Sequence, residues 1–261
     1  MKMTKKVLLT AAVMAAAAFG FMGCAADDDE NDMIEKVNSN NYSINYTNND
    51  KLTSRGYIST NLAHNGAVME FKFTNSTANS AAGVLGFIWE FEDKDGVRQF
   101  YVLGVRQDNG IPSYYVSQFK NVTDINAENF GTKLEKNPAT ETLIAPATNK
   151  GGNATSKDFN KITDGSWDES GTVTVYADIA PVKGGYEIRF YKSELTAKNH
   201  SVADAVGEKI SITSDFATAT TEPSQKKLAI YANVYGNKTL TGSWKFVSTY
   251  KDAEVAEPDA E

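Results

Sequence analysis

GVLGFIWEFEDKDGVRQFYVLGVRQDNGIPSYYVSQF, residues 83–119, is the stretch that decides the fold. Its first segment, Gly83–Phe91, is apolar on both faces, with Leu85, Phe87, Trp89 and Phe91 on one side. That pattern predicts a central strand covered on both sides. Asp93-Lys94-Asp95-Gly96 follows as a turn, Gly96 being suited to a left-handed backbone. Val97–Arg106 returns, with Tyr101, Leu103 and Val105 on one face and Arg98, Phe100 and Arg106 on the other. Gln107-Asp108-Asn109-Gly110 carries the Asn-Gly pair typical of a tight hairpin. Ile111–Phe119 then alternates through Tyr115, Ser117 and Phe119. Strand, turn and strand in this succession make an antiparallel meander.

The same period runs outward. In Ala67–Thr74, Met69, Phe71 and Phe73 alternate with Glu70 and Lys72, a half-buried strand. Residues 120–170 are rich in Asn, Thr, Gly and Lys and read as long loops, with a short strand near Glu141–Ile144. Strands resume at Gly171–Ile179, Gly185–Tyr191, Lys209–Thr213, Lys227–Tyr235 and Leu240–Thr249, with a single helical turn at Val202–Val206. Ten to twelve strands without a helical period predict an all-β, two-sheet antiparallel sandwich over residues 42–250.

Two segments resemble the concanavalin-like, laminin-G-like jelly-roll superfamily. One is Met69–Gln118, where MEFKFTN, GVLGFIWEF and FYVLGVRQDNG occur in order. The other is LAIYANVYGN followed by GSWKFV, at 228–247, which is similar to the superfamily's closing strands. The resemblance implies a jelly-roll-like sandwich. It does not fix a function, because one fold hosts many.

The amino end points to export. Lys2, Lys5 and Lys6 precede an apolar run from Val7 to Met22, too short at about sixteen residues for the roughly 20 needed to cross a bilayer. Basic, apolar, then small is the order of a secretory signal peptide, here residues 1–23. Phe21-Met22-Gly23-Cys24 resembles the lipobox of bacterial lipoproteins, with Phe21 where Leu is usual. The resemblance implies cleavage before Cys24, acylation of that cysteine with palmitate-type chains, and a membrane-anchored cell-envelope protein. An ordinary signal peptide with a chance cysteine, or an anchoring helix, is the alternative. Cys24 is the only cysteine, so no internal disulfide can form, and a lone thiol at the cleavage point is what lipid attachment requires. Two or three acyl chains hold firmly, at about 0.8 kcal/mol per buried methylene.

Residues 24–41 open with the acidic run Asp27-Asp28-Asp29-Glu30 and hold few apolar side chains, so they are expected to form a flexible tether. The run resembles the surface-export signals of some diderm lipoproteins, which would place the domain on the outer membrane and exposed at the surface; a plain spacer is the alternative. Residues 251–261 are expected to be a disordered acidic tail. Without the signal peptide's three lysines, 23 basic residues face 33 acidic ones, a net charge of −10. Such a chain is repelled by nucleic acid.

Little catalytic chemistry is written in the chain. Glu90 and Glu92 share a strand face about 7 Å apart, whereas retaining glycosidases need carboxylates about 5–5.5 Å apart across the scissile bond. The run also departs from the superfamily's Glu-x-Asp-x-x-Glu, so two solvated carboxylates are the expected reading. Only His64 and His200 are available as imidazoles, far apart in polar contexts. No Gly-x-Ser-x-Gly, His-Glu-x-x-His or phosphate loop occurs. Asp93 and Asp95 offer the first half of a calcium loop without the rest, so no cofactor is expected beyond a structural calcium gathered from separate loops.

Aromatics remain, twelve Tyr and three Trp, and sugars stack their apolar faces on rings while polar neighbours take the hydroxyls. Arg98, Phe100 and Arg106 share a face, with Glu70, Lys72, Glu90, Tyr114 and Gln118 on corresponding faces of neighbouring strands. That face is either a glycan platform or an ordinary solvated sheet face. Trp167, between Gly165 and Asp168, is the candidate for an exposed stacking ring, while Trp89 and Trp244 are expected in the core. The expected function is display of a sandwich that binds an extracellular ligand, carbohydrate first. The alternatives are a non-catalytic adhesin or protein-interaction lipoprotein and, weaker, a lipid-anchored glycosidase.

Overall fold

A computed structural model describes residues 33–60, 66–74, 82–92, 98–119, 141–145, 159–163, 167, 171–182, 185–213 and 228–250. The first strands are β1 (Ile34–Lys36), β2 (Asn41–Asn48), β3 (Ser54–Ser59), β4 (Gly66–Thr74) and β5 (Gly83–Glu92). The middle of the chain supplies β6 (Arg98–Asp108), β7 (Ile111–Phe119), β8 (Glu141–Ala145) and β9 (Asn160–Lys161). The rest are β10 (Thr172–Val182), β11 (Gly185–Tyr191), β12 (Val206–Thr213), β13 (Leu228–Val234) and β14 (Lys238–Tyr250), with a short helix α1 (Glu194–Lys198) between β11 and β12.

They form two seven-stranded sheets. The first runs β1-β2-β14-β4-β10-β11-β12; the second runs β3-β13-β5-β6-β7-β8, with β9 also pairing β7. Every described pairing is antiparallel. The all-β sandwich expected from alternation is therefore the architecture. The meander β5-β6-β7 lies in the second sheet, and its Asn109-Gly110 turn has both residues in the left-handed region, φ 51° and 79°. Backbone twist of that hand matches the twist of the strands it joins. The turn at Asp93–Gly96 lies outside the described residues.

The last two strands are interior strands, one in each sheet. Strand β14 lies between β2 and β4 in the first sheet, and β13 lies between β3 and β5 in the second. The last two strands thus wedge between the first elements of the chain in both layers.

One boundary differs from expectation. Met33 and Ile34 are buried, at 8% and 6% exposure, and Ile34 pairs with Ile44. The sandwich therefore takes in Met33 onward, and Ile34–Lys36 of the expected tether form an edge strand. A few apolar residues cannot order a segment alone, but they can when a neighbouring strand supplies backbone partners. Strands β2 and β3 were not expected from alternation. Residues 24–32, with Cys24, and 251–261 lie outside the described residues.

Aromatic rings fill the space between the sheets. Phe246 meets Tyr42 and Phe87 edge-on, at 6.3 and 5.9 Å between ring centres. Phe87 stacks on Trp89 at 5.6 Å, and Trp89 stacks in turn on Tyr101 at 5.6 Å. Trp244 is 1% exposed, and its indole N–H donates across the layers to the Gly86 carbonyl at 3.1 Å. Both tryptophans assigned to the core from sequence are in it.

On the far side of the first sheet, Glu187 is nearly buried between Lys209, at 2.9 Å, and Arg189, at 2.7 Å. Burial opposes its ionisation, but the hydrogen bonds and charges of Lys209 and Arg189 outweigh that and hold its pKa below the ordinary value. A carboxylate with a lowered folded-state pKa stabilises the fold above its unfolded pKa, and that contribution disappears as pH falls through the folded one. Glu187→Gln should therefore cost about 1–3 kcal/mol at neutral pH, the range for hydrogen bonds to a charged group. The gap from the parent should close as the medium becomes more acidic than about pH 4. Urea midpoints of parent and variant across pH would check this, and a gap independent of pH would refute it.

Candidate functional site

Most of the side chains singled out from sequence are not at the surface. Trp167 is 8% exposed and belongs to the inter-sheet core. Its indole N–H donates to the Thr174 carbonyl, its backbone N–H reaches the Gly110 carbonyl at 3.3 Å, and Lys192 lies 5.1 Å above its ring. It joins the two sheets at one end of the sandwich and is not an exposed stacking ring. Tyr114 is 6% exposed, in the same core, against Phe190 at 5.1 Å. It pairs with Val105, so its parity is that of the inner face. Gln118 pairs with Tyr101 and shares that parity. Two adjacent tyrosines made the phase of this strand ambiguous in sequence. Glu70 and Lys72 are on β4, in the other sheet.

Glu90, Phe100 and Arg106 do share the outer face of the second sheet. Glu90 sits opposite Phe100, but both are buried, at 3% and 0% exposure, so neither belongs to a solvated platform. Arg98 pairs with Glu92 in the register, and its side chain is outside the described residues, as are Asp93 and Asp95. Arg106 is half-buried and reachable.

Arg106 belongs to a row that crosses the sheet. Arg55 on β3 pairs with Asn233 on β13, which pairs with Val84 on β5. Continuing the β5–β6 register by one residue brings Arg106 opposite Val84, and Arg106 pairs with Ser113, which pairs with Lys161. At about 4.8 Å per strand, the Arg55 and Arg106 backbones stand about 14 Å apart, with Asn233 and Val84 between. Tyr235, just past β13, feels both charges and is hydrogen-bonded by Arg106. Phe159 lies under the Arg106 guanidinium, 3.8 Å from ring centre to carbon.

Next to this row is an aromatic one. Tyr57, Tyr231, Gly86, Gly104 and Tyr115 face one another in register. The central glycines exist for the rings. A Cβ on Gly104 would lie 2.1 Å from the Tyr115 ring, and one on Gly86 would lie 2.6 Å from the Tyr231 ring. The tyrosines thus lie flat over bare backbone. Phe159 closes the row, edge-on to Tyr115 at 5.1 Å. Tyr57, Phe159 and Tyr235 are half-buried, so the strip is open at both ends.

The electrostatics of this face are unbalanced. Arg55 is 6% exposed, and among the described residues neither Arg55 nor Arg106 forms an ion pair. The Arg106 Nε and the Asn233 Oδ1 are buried with no hydrogen-bond partner among the described residues. Burial raises the Tyr235 pKa, although Arg106 and Arg55 pull it down, so the phenol stays neutral and supplies no countercharge. Burying a guanidinium without a partner costs on the order of several kcal/mol. In a chain of net charge −7, this is a local concentration of the opposite sign.

Two other places draw the eye. A cavity of about 300 Å³ opens beside Phe73, Thr74, Ala82, Gln107 and Leu240, but Thr239 and Thr241 on its border turn their hydroxyls to Thr47 and Asn45. On the first sheet, Asp178 accepts from the Tyr250 hydroxyl at 2.6 Å and holds His200 Nδ1 at 2.8 Å. That cluster ties the end of α1 to β14. No pattern in the sequence foretold it, because its members come from three separate segments.

Of the residues now assembled, only Arg106 was singled out in advance. Asn233 and Tyr235 carried one sequence signal, the strand alternation of polar and aromatic residues in YANVY at 231–235, which does not extend to Arg55, Tyr57 or Phe159. A scan against known protein families finds no match for this chain, and neither does a search of curated proteins.

Proposed function

We propose that this chain is an exported lipoprotein, anchored to an envelope membrane through Cys24, whose sandwich displays a carbohydrate-binding face. The site is the outer face of the second sheet, at the rows of Tyr57 to Phe159 and Arg55 to Arg106. One observation carries the reading: the half-buried rings of Tyr57 and Phe159, at the two ends of a row whose central rings Tyr231 and Tyr115 are buried, stand beside Arg106, whose Nε has no hydrogen-bond partner among the described residues. Rings accept the apolar faces of a sugar, and convergent donors take its oxygens. The lipobox-like Phe21–Cys24 supports the anchor, and the acidic run after it supports display at the outer membrane.

Two measurements test the two halves. Cells fed labelled palmitate should label the parent chain and not Cys24→Ser; equal labelling would remove the anchor. On a glycan array, probed with and without calcium because Asp93 and Asp95 are candidate ligands, the parent should bind selectively. Tyr57→Ala should lower that signal about tenfold, since a stacked ring supplies about 0.5–1.5 kcal/mol beyond the area it buries. A silent array from folded protein would overturn the glycan reading and favour a protein partner.

A further inference from the structure

We propose that the ligand of this face is an acidic sugar, a uronic-acid-type residue held by its carboxylate between Arg55 and Arg106 and by a hydroxyl donated to Asn233 Oδ1. The proposal rests on the carbohydrate reading and deepens it.

The donors define the charge. Two guanidiniums, one of them 6% exposed, share a sheet row and meet no carboxylate among the described residues. Tyr235, hydrogen-bonded by Arg106, is a neutral hydroxyl and cannot balance them. A planar carboxylate matches the guanidinium fork in two parallel hydrogen bonds, which a neutral hydroxyl does not.

The acceptor defines the rest. Asn233 pairs with Arg55 in the register, and its buried Oδ1 has no donor. A fully ionised inorganic anion leaves that oxygen unsatisfied, because it has no proton to offer. The ligand must therefore carry an acid and a hydroxyl on one small frame. The neighbouring rings, Tyr57 and Phe159, ask that the frame also have an apolar face. A pyranose bearing a carboxylate satisfies all three demands; a fully ionised inorganic anion satisfies one.

The test uses the full chain in a zwitterionic detergent, with free glucuronate, glucose, acetate and sulfate as probes. Calorimetry gives affinities, and the arginine Nε–H resonances report the site. Glucuronate should bind at least tenfold more tightly than each of the other three and shift the Arg106 Nε–H signal. Arg106→Gln and Arg55→Met should each weaken glucuronate at least tenfold. Arg55→Met should keep or raise the melting temperature of the unliganded protein, because it removes an uncompensated buried charge. Glucuronate should raise the melting temperature of the parent and not of that variant. Acetate or sulfate binding as well as glucuronate would reduce the face to a plain anion site and overturn the proposal. So would glucose binding as well as glucuronate, although the carbohydrate reading would then survive. No shift with any probe would overturn it too, and the glycan array would then decide the carbohydrate reading separately.

Discussion

A chain ending at Tyr235 will not fold. Strand β14 is the last of the molecule, yet it is hydrogen-bonded on one side to β2 and on the other to β4. Without it, β1 and β2 have no sheet to join, and the first sheet is cut in two. The side chains lost include Leu240, Trp244, Phe246 and Tyr250, all buried. At about 1.5–3 kcal/mol for each large apolar side chain, their burial is worth about 6–12 kcal/mol. The whole stability of a domain is about 5–15 kcal/mol. The truncated chain should show no cooperative urea transition and should be digested by protease under conditions that leave the parent intact. A sharp transition in the truncated chain would mean that β2 and β4 can close on each other. The same geometry makes the last strand decisive in folding. Thr47 and Thr239 face each other across 192 positions of chain. Pairing at that separation is slow, because loop closure must be completed before the contacts form.

The largest single-residue effect is expected at Trp244. Trp244→Ala should lose about 3–5 kcal/mol, the range for deleting a large buried ring and leaving a cavity. Its indole is 1% exposed and reaches the Gly86 carbonyl in the facing sheet at 3.1 Å. Trp244→Phe separates the two contributions. It keeps an aromatic ring in place and removes the donor, so about 1 kcal/mol of its loss is the hydrogen bond between sheets. Urea unfolding of the parent and both variants would give these differences at constant slope. An alanine variant within about 1 kcal/mol of the parent would show that the core closes over the hole, against the usual cost of such cavities.

These two predictions concern the same strand, and its path was only half legible. GSWKFV at 242–247 reads as a strand, and Trp244 reads as core, from alternation alone. Nothing in the segment says that its neighbours are β2 and β4. A strand's faces are local properties, set by which residues alternate, while its partners are set by competition among all the edges of the sheet. The tight turn at Asn109-Gly110 was legible for the opposite reason, since its left-handed φ values are intrinsic to the two residues that carry them.

The site divides in the same way. Arg106 was picked out because its strand parity sets it against the inward Tyr101, Leu103 and Val105. Trp167 and Tyr114 were misplaced because exposure is not a local property. Trp167 has no strand pattern around it, yet it is drawn into the core by Gly110 and Thr174 from opposite sheets. Glu90 and Phe100 were assigned to the right face, but that face is largely covered.

By itself, the sequence determined the layered all-β class, the strand faces in the meander and the tight turn that joins them, because a period of two and a left-handed dipeptide act within a few residues. Only the tertiary structure decided that β13 and β14 intercalate between the first strands, that Met33 and Ile34 belong to the sandwich, and that Arg55, Asn233 and Arg106 share one row. Those facts depend on register between segments far apart in the chain, and register is fixed only when every strand has found its neighbours.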